Sequence, residues 1–225
     1  MNSAQQQEKH FEKVFSSLRE ALKNMGAPMP AVSLIAAEDP SPYRILSSTI
    51  ISLRTRDDVT AEASERLFQI APDFEKLYSI NEELVANAIK PCGFYLRKAH
   101  QLKEIARIVI EDWQGIVPKN GEKLLSRPGV GIKTASLVMN ISFGMDAICV
   151  DCHVHQISNR LGWVETATPE ETEKELKKIL PRKFWIPINE LFVMWGQNVC
   201  TPISPKCSLC PLSSECPKIG EEKTR

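Results

Sequence analysis

The chain has 225 residues, room for one or two domains of ordinary size. A hydrophobic share of 43% can fill a core and excludes a disordered chain, and 10 glycines with 15 prolines are too few for a low-complexity or collagen-like one. Lys and Arg total 28 and are balanced by 28 Asp and Glu, which excludes a globally basic, histone-like binder but leaves room for local basic faces.

From the N-terminus, Met1 to Gln7 show no basic stretch leading into an apolar one, so no signal peptide is expected. The longest apolar run, Ala31 to Ala37, is interrupted by Ser33 and falls far short of the roughly 18 residues a membrane span needs. An intracellular chain that engages no membrane is expected. The sequence then reads as helix after helix. Ser41 suits an N-cap and Pro42 a first helical residue, with Tyr43, Leu46, Ile50 and Leu53 following at helical spacing. Leu102, Ile105, Ala106 and Val109 mark another helix. Frequent prolines predict a compact set of helices, and no stretch alternates convincingly as a strand.

Leu124 to Ala135 reads as two helices around the turn Pro128-Gly129-Val130-Gly131. Glycines there let the backbone bend sharply and approach a surface, and the helix that follows offers unpaired N–H groups to an anion. Lys133 and Thr134 open that helix. The surroundings are basic. Lys119, Lys123, Arg127 and Lys133 against Glu122 sum to +3, and Lys90, Arg97, Lys98, Lys103 and Arg107 against Glu104 sum to +4. Such patches suit phosphates.

Ala147 to Val150 is short and apolar and is expected to be a buried connection. Asp151 follows it, flanked by Val150 and Cys152; an acid so placed is costly unless it is used or paired, and it can cap the helix through Ile157 and Leu161. His153 and His155 lie two apart and would diverge on a helix, so structural or phosphate-facing roles suit them better than metal binding. Thr168-Pro169-Glu170-Glu171 is a capping box, and Leu176, Ile179 and Leu180 give its helix a buried stripe ended by Pro181.

Seven cysteines are an odd count, which in an intracellular chain favours ligands or reactive thiols over disulfides. Four of them, Cys200, Cys207, Cys210 and Cys216, fall in one short proline-rich segment that needs a staple to fold. Thiolates suit zinc or iron–sulfur; the single Cys-x2-Cys pair leans toward a cluster. Lys206 sits between the first two, on a loop able to meet a phosphate.

Together these motifs resemble the endonuclease III family of DNA glycosylase/AP lyases in the helix-hairpin-helix superfamily, over about Pro40 to Cys216. The family hairpin, Leu-Pro-Gly-Val-Gly-x-Lys-Thr-Ala, is matched from Pro128 to Ala135, with Arg127 in place of the leucine. Its catalytic lysine falls on Lys133, its essential aspartate on Asp151, and its [4Fe–4S] cysteines on Cys200, Cys207, Cys210 and Cys216. The resemblance implies an all-α fold with a six-helix barrel domain, residues 35–145, carrying the hairpin. A cluster domain would comprise residues 1–34 and 146–225. Double-stranded DNA with damaged bases or abasic sites would lie across the cleft between them, bound by a monomer acting in the cytoplasm or nucleoid, or in a eukaryotic nucleus.

The implied reaction is removal of an oxidised pyrimidine through a Schiff base on Lys133, followed by strand cleavage by β-elimination, with Asp151 either accepting the proton or supporting the cationic sugar. Gly129, Val130, Gly131 and Thr134, with a monovalent cation at the hairpin, would hold a backbone phosphate. Two departures bear on specificity. Arg54 in Ser52-Leu53-Arg54-Thr55 replaces the glutamine expected to fill the gap left by the extruded nucleotide, and Cys152 replaces the usual threonine after the aspartate. Two other readings are opposed by residues present: Lys133 argues against a monofunctional mismatch or adenine glycosylase, and Lys133 with Asp151 argues against a non-catalytic DNA-binding protein.

Overall fold

A computed structural model describes residues 3–127, 129–221 and 223–225. Among the described residues the chain is all-helical, and it divides into two units, residues 30–145 and residues 1–29 with 146–225. In chain order, α1 (Ser3–Asn24) opens the discontinuous unit. The continuous unit holds α2 (Ala31–Glu38), α3 (Pro42–Ser52), α4 (Asp57–Ile70), α5 (Phe74–Ser79), α6 (Glu82–Ala88), α7 (Tyr95–Arg107), α8 (Gly121–Leu125) and α9 (Ile132–Leu137). The chain then returns to the first unit with α10 (Cys152–Arg160), α11 (Pro169–Ile179) and α12 (Pro187–Asn198).

In the continuous unit α3 is the central rod. Ser41 caps it and Pro42 begins it, as the sequence predicts. Residues Tyr43 and Ile45–Ile51 are all buried, so the helix is covered on every side, by α2, α4, α7 and α9. Tyr43 stacks edge-on against Phe68 and Phe74 and donates its hydroxyl to the Ala71 carbonyl. Both α7 and α9 widen at their C-terminal ends into π turns, Ile108–Asp112 and Val138–Ser142.

The discontinuous unit is built on α1. Phe11, Val14, Phe15, Leu18 and Leu22 recur at helical spacing and bury one face against a core that includes Ile157, Leu191, Phe192 and Trp195. Each large side chain removed from water here contributes roughly 1.5–3 kcal/mol. The other face stays charged; Lys183 bridges Glu8 and Glu12, and Lys13 pairs with Glu215. The capping box of α11 is present in full, with Thr168 Oγ1 accepting from the Glu171 amide and the Glu171 carboxylate accepting from the Thr168 amide. Leu176 and Leu180 are buried beneath it. Ala147–Val150 carries no regular structure, and Ile148, Cys149 and Val150 are buried, as the buried-connection reading requires.

α10 and α12 approach unusually closely where Gly196 faces the ring of His153; a Cβ on Gly196 would stand 2.3 Å from His153 Nδ1. Gly196→Ala is therefore expected to destabilise the protein by about 1–3 kcal/mol through overpacking. Denaturant unfolding checks this, and a midpoint equal to the parent's would refute it.

Candidate active site and cysteine centre

The hairpin motif adopts the expected helix–turn–helix form. Asn120 caps α8 by accepting from the Lys123 amide at 3.0 Å, and Gly131 stands at the N-cap of α9. Gly129 has φ +83°, a conformation that favours glycine, and its carbonyl accepts from the side-chain amide of Gln101. A Cβ at Gly129 would come within 2.5 Å of that amide, which the Gln101 side chain would have to move to admit, so the positive φ is what fixes glycine there. Around Gly131 the space is open, with nothing within 4 Å of a would-be Cβ. Val130 and Thr134 are buried, which leaves the exposed Gly129 and Gly131 as the surface of the turn. Pro128 lies outside the described residues. Lys133 is the second residue of α9 and half-buried.

The two basic stretches are partly spent on structure. Lys98 is 4% exposed, Lys103 donates to the carbonyls of Leu77, Tyr78 and Ile80 that end α5, and Arg107 pairs with Glu104 and Glu111. Arg127 pairs with Asp112 and lies over Trp113. Lys90, Arg97, Lys119 and Lys123 are the exposed cations of these stretches.

Asp151 occupies the N-cap of α10 and is buried. Oδ1 accepts from the amides of His153 at 2.9 Å and Val154 at 3.1 Å. The preceding connection is pinned by Asn189, whose Nδ2 donates to the Cys149 carbonyl. Cys152 is exposed in the first turn of α10. His155 bonds Thr172, which makes it a link between α10 and α11.

Arg54 stands exposed in the turn after α3, with φ +53°, and its guanidinium lies over the ring of Phe94 at 5.9 Å. Phe94 is itself 62% exposed and left-handed, with φ +58°. Left-handed non-glycine residues are uncommon, and an exposed aromatic ring beside an exposed arginine is a surface made for contact. Nothing in the sequence pattern singles out Phe94, because exposure is not readable from its neighbours.

Cys200, Cys207, Cys210 and Cys216 are half-buried and line one cavity with Leu18, Ile157 and Trp195. Lys206 contributes to the same wall, and its backbone amide donates to the Val199 carbonyl at 2.9 Å. Burial pushes the Cys200 thiol up and the Cys210 thiol up to about 11, with the neighbouring cysteines adding to both. Among the described residues no three His, Cys, Asp or Glu side chains are gathered closely enough for a single ion, and the four cysteines line one cavity.

Arg160, at the end of α10, organises this segment and was not foreseen from the sequence. It is buried; Nη1 donates to the carbonyls of Cys200 at 3.2 Å and Thr201 at 2.8 Å and to Cys200 Sγ at 3.3 Å. Nη2 donates to the Pro202 carbonyl at 3.0 Å and pairs with Glu221. Cys216 Sγ donates to the Arg160 carbonyl.

The family of HhH-GPD superfamily base excision DNA repair proteins matches residues 47–182, more than half of the chain. Endonuclease III of Thermotoga maritima is 46% identical over 179 residues, 80% of this chain and 84% of that relative. The chain belongs to the endonuclease III family of DNA glycosylase/AP lyases. A second relative, Endonuclease III homolog 2, chloroplastic, of Arabidopsis thaliana, is 37% identical over 95% of this chain, which spans 59% of that longer protein. A solved structure of a trapped endonuclease III–DNA covalent intermediate superposes with a TM-score of 0.77 at 28% identity, covering 97% of both chains. Residues 200–216, the segment holding Cys200, Cys207, Cys210 and Cys216, match the iron–sulfur binding domain of endonuclease III.

Arg160→Gln would leave Glu221 and several loop carbonyls without their cation. Breaking one partner of a buried pair costs about 3–5 kcal/mol, so the variant is expected to unfold earlier and to lose bound iron on dilution. Unfolding curves and iron content check this; a variant that keeps both would show that Arg160 does not hold the segment.

Proposed function

We propose that this chain excises oxidised pyrimidines from duplex DNA and then cleaves the strand, using Lys133 as nucleophile. The observation that carries the reading is the hairpin: an exposed, glycine-built turn with an amine in the first turn of the helix it opens, in a member of the endonuclease III family.

The glycosidic bond cannot be reached inside the stack, so the damaged nucleotide is rotated out of the duplex. The neutral amine of Lys133 attacks C1′ of the sugar while the bond to the base breaks and the base leaves as its protonated form. An ordinary lysine is protonated at neutral pH, so the amine must first give up a proton, which the start of a helix favours electrostatically. The negative charge of Asp151 stabilises the oxocarbenium-like sugar as the base departs. Ring opening gives a Schiff base between Lys133 and C1′. Loss of a C2′ proton then expels the 3′ phosphate, which nicks the strand, and water releases the amine.

The amides of Gly129 and Gly131, together with a monovalent cation at the hairpin, hold a backbone phosphate near this centre. Val130 serves by burying its side chain so that the turn keeps its shape, and Thr134 likewise from within α9. Arg54 enters the duplex where the extruded nucleotide was, and the adjoining Phe94 ring wedges the step apart. Lys206 adds a phosphate contact from the cysteine segment. Cys200, Cys207, Cys210 and Cys216, four thiols lining one cavity, would hold a [4Fe–4S] cluster. Its chemistry here is that of a staple, giving a coreless segment a fixed shape.

Borohydride reduction during incubation with thymine-glycol or abasic duplex tests the central step. A covalent protein–DNA adduct is expected, absent in Lys133→Gln and formed at least about a hundredfold more slowly in Asp151→Asn. Strand nicking without any trappable adduct would overturn the proposed nucleophile. For the cluster, the purified protein is expected to be brown, with visible iron–sulfur absorption that vanishes in Cys207→Ser; a colourless protein containing zinc would refute it.

A further inference from the structure

Two turns of the continuous unit hold non-glycine residues in the left-handed region, Arg54 and Phe94, and they face each other. Strain of this kind persists only where the surroundings over-determine it. One side chain bridges the two turns. The Lys98 backbone amide donates to the Phe94 carbonyl at 3.0 Å, fixing the start of α7. Its side chain runs inward, and the buried ammonium donates to the Ile51 carbonyl at 2.7 Å and to Thr55 Oγ1 at 2.7 Å, on either side of Arg54.

The rest of the contact is fitted to this bridge. The Thr55 hydroxyl also reaches the buried Cys92 thiol. Gly93 lets the two turns touch, since a Cβ there would stand 2.9 Å from the Arg54 carbonyl. The ammonium is held by two neutral oxygens beside a thiol, and burial pulls its pKa down. A charge kept in such surroundings is an expensive way to hold two turns together, and an apolar side chain would be the cheaper filler if packing were the only need.

We propose that Lys98 is a positioning residue for lesion recognition: it locks the Arg54 and Phe94 turns into one rigid two-pronged element while touching no DNA itself. The proposal rests on the glycosylase reading given above. It makes Thr55 the relay on the Arg54 side, so the bridge can be cut there without emptying the core.

The test compares affinity for a duplex carrying a tetrahydrofuran abasic analogue with affinity for the same undamaged duplex, read by fluorescence anisotropy. Thr55→Val and Lys98→Met are each expected to lower that ratio about five- to tenfold, and Thr55→Ser to restore it to within about twofold. Borohydride trapping of Thr55→Val at saturating DNA is expected to fall less than about twofold, because the loss lies in engagement and not in the chemical step. The decisive comparison is the Arg54→Ala background, in which Thr55→Val should have no further effect on the ratio; a merely structural loss would add to it. An unchanged ratio in Thr55→Val, or additivity with Arg54→Ala, overturns the proposal even if Lys98→Met fails to fold. A parent protein that shows no preference for the abasic duplex would overturn the glycosylase reading and this proposal with it.

Discussion

The first residues of a helix carry N–H groups that no earlier turn can accept, and whatever meets them is fixed in place. Both residues assigned the chemistry stand at such a start. Asp151 satisfies the amides of His153 and Val154 itself, so its carboxylate is anchored by the helix it initiates. Lys133 lies two residues after Gly131, whose open surroundings leave the head of α9 accessible. Local folding and reactivity are thus not separable here. Replacing Asp151 with an apolar residue removes a cap worth about 0.5–2 kcal/mol along with the charge. Catalytic and stabilising roles of that carboxylate can be told apart only by a substitution that keeps an acceptor.

What could be read in the sequence is what is local in it. Ser41 and Pro42, the Thr168 capping box, the glycine turn and the four cysteines each declare themselves within a few residues, and each is found where the pattern places it. The apolar face of α1 obeys the same spacing rule. Arg160 and Lys98 were not legible, because their partners lie about forty or more residues away along the chain. Charge sums failed for a related reason. A run of basic residues shows its net sign, but not that Lys103 ends α5, that Lys98 is buried, or that Arg107 and Arg127 are paired.

The two buried cations divide their work according to their shapes. Arg160 meets a loop of carbonyls, a thiol and a carboxylate, and a planar fork with five donors suits several acceptors spread over one side. Lys98 meets two oxygens from one turn through a single nitrogen, which a compact ammonium can do without a carboxylate partner. In each case a side chain from the end or start of a helix reaches a segment that has little regular structure of its own. These two segments are therefore held by specific polar bonds, whereas the Ala147–Val150 connection is held by apolar burial.

This allocation bears on how a protein of zero formal charge can work on a polyanion. Every cation committed to an internal bond is withdrawn from the phosphates, and the exposed cations outside ion pairs on the 30–145 unit are a sparse set, Arg54, Lys76, Lys90, Arg97, Lys119 and Lys123, with Lys90 and Lys119 also resting on the rings of Tyr95 and Phe143. Non-specific affinity for DNA scales with the number of phosphates neutralised, so a sparse set gives a weak, salt-sensitive hold. For an enzyme that must pass over undamaged duplex that is an advantage. Discrimination then falls to contacts made only when a nucleotide has left the stack, and the rigidity of the turns that make those contacts matters more than the total charge behind them.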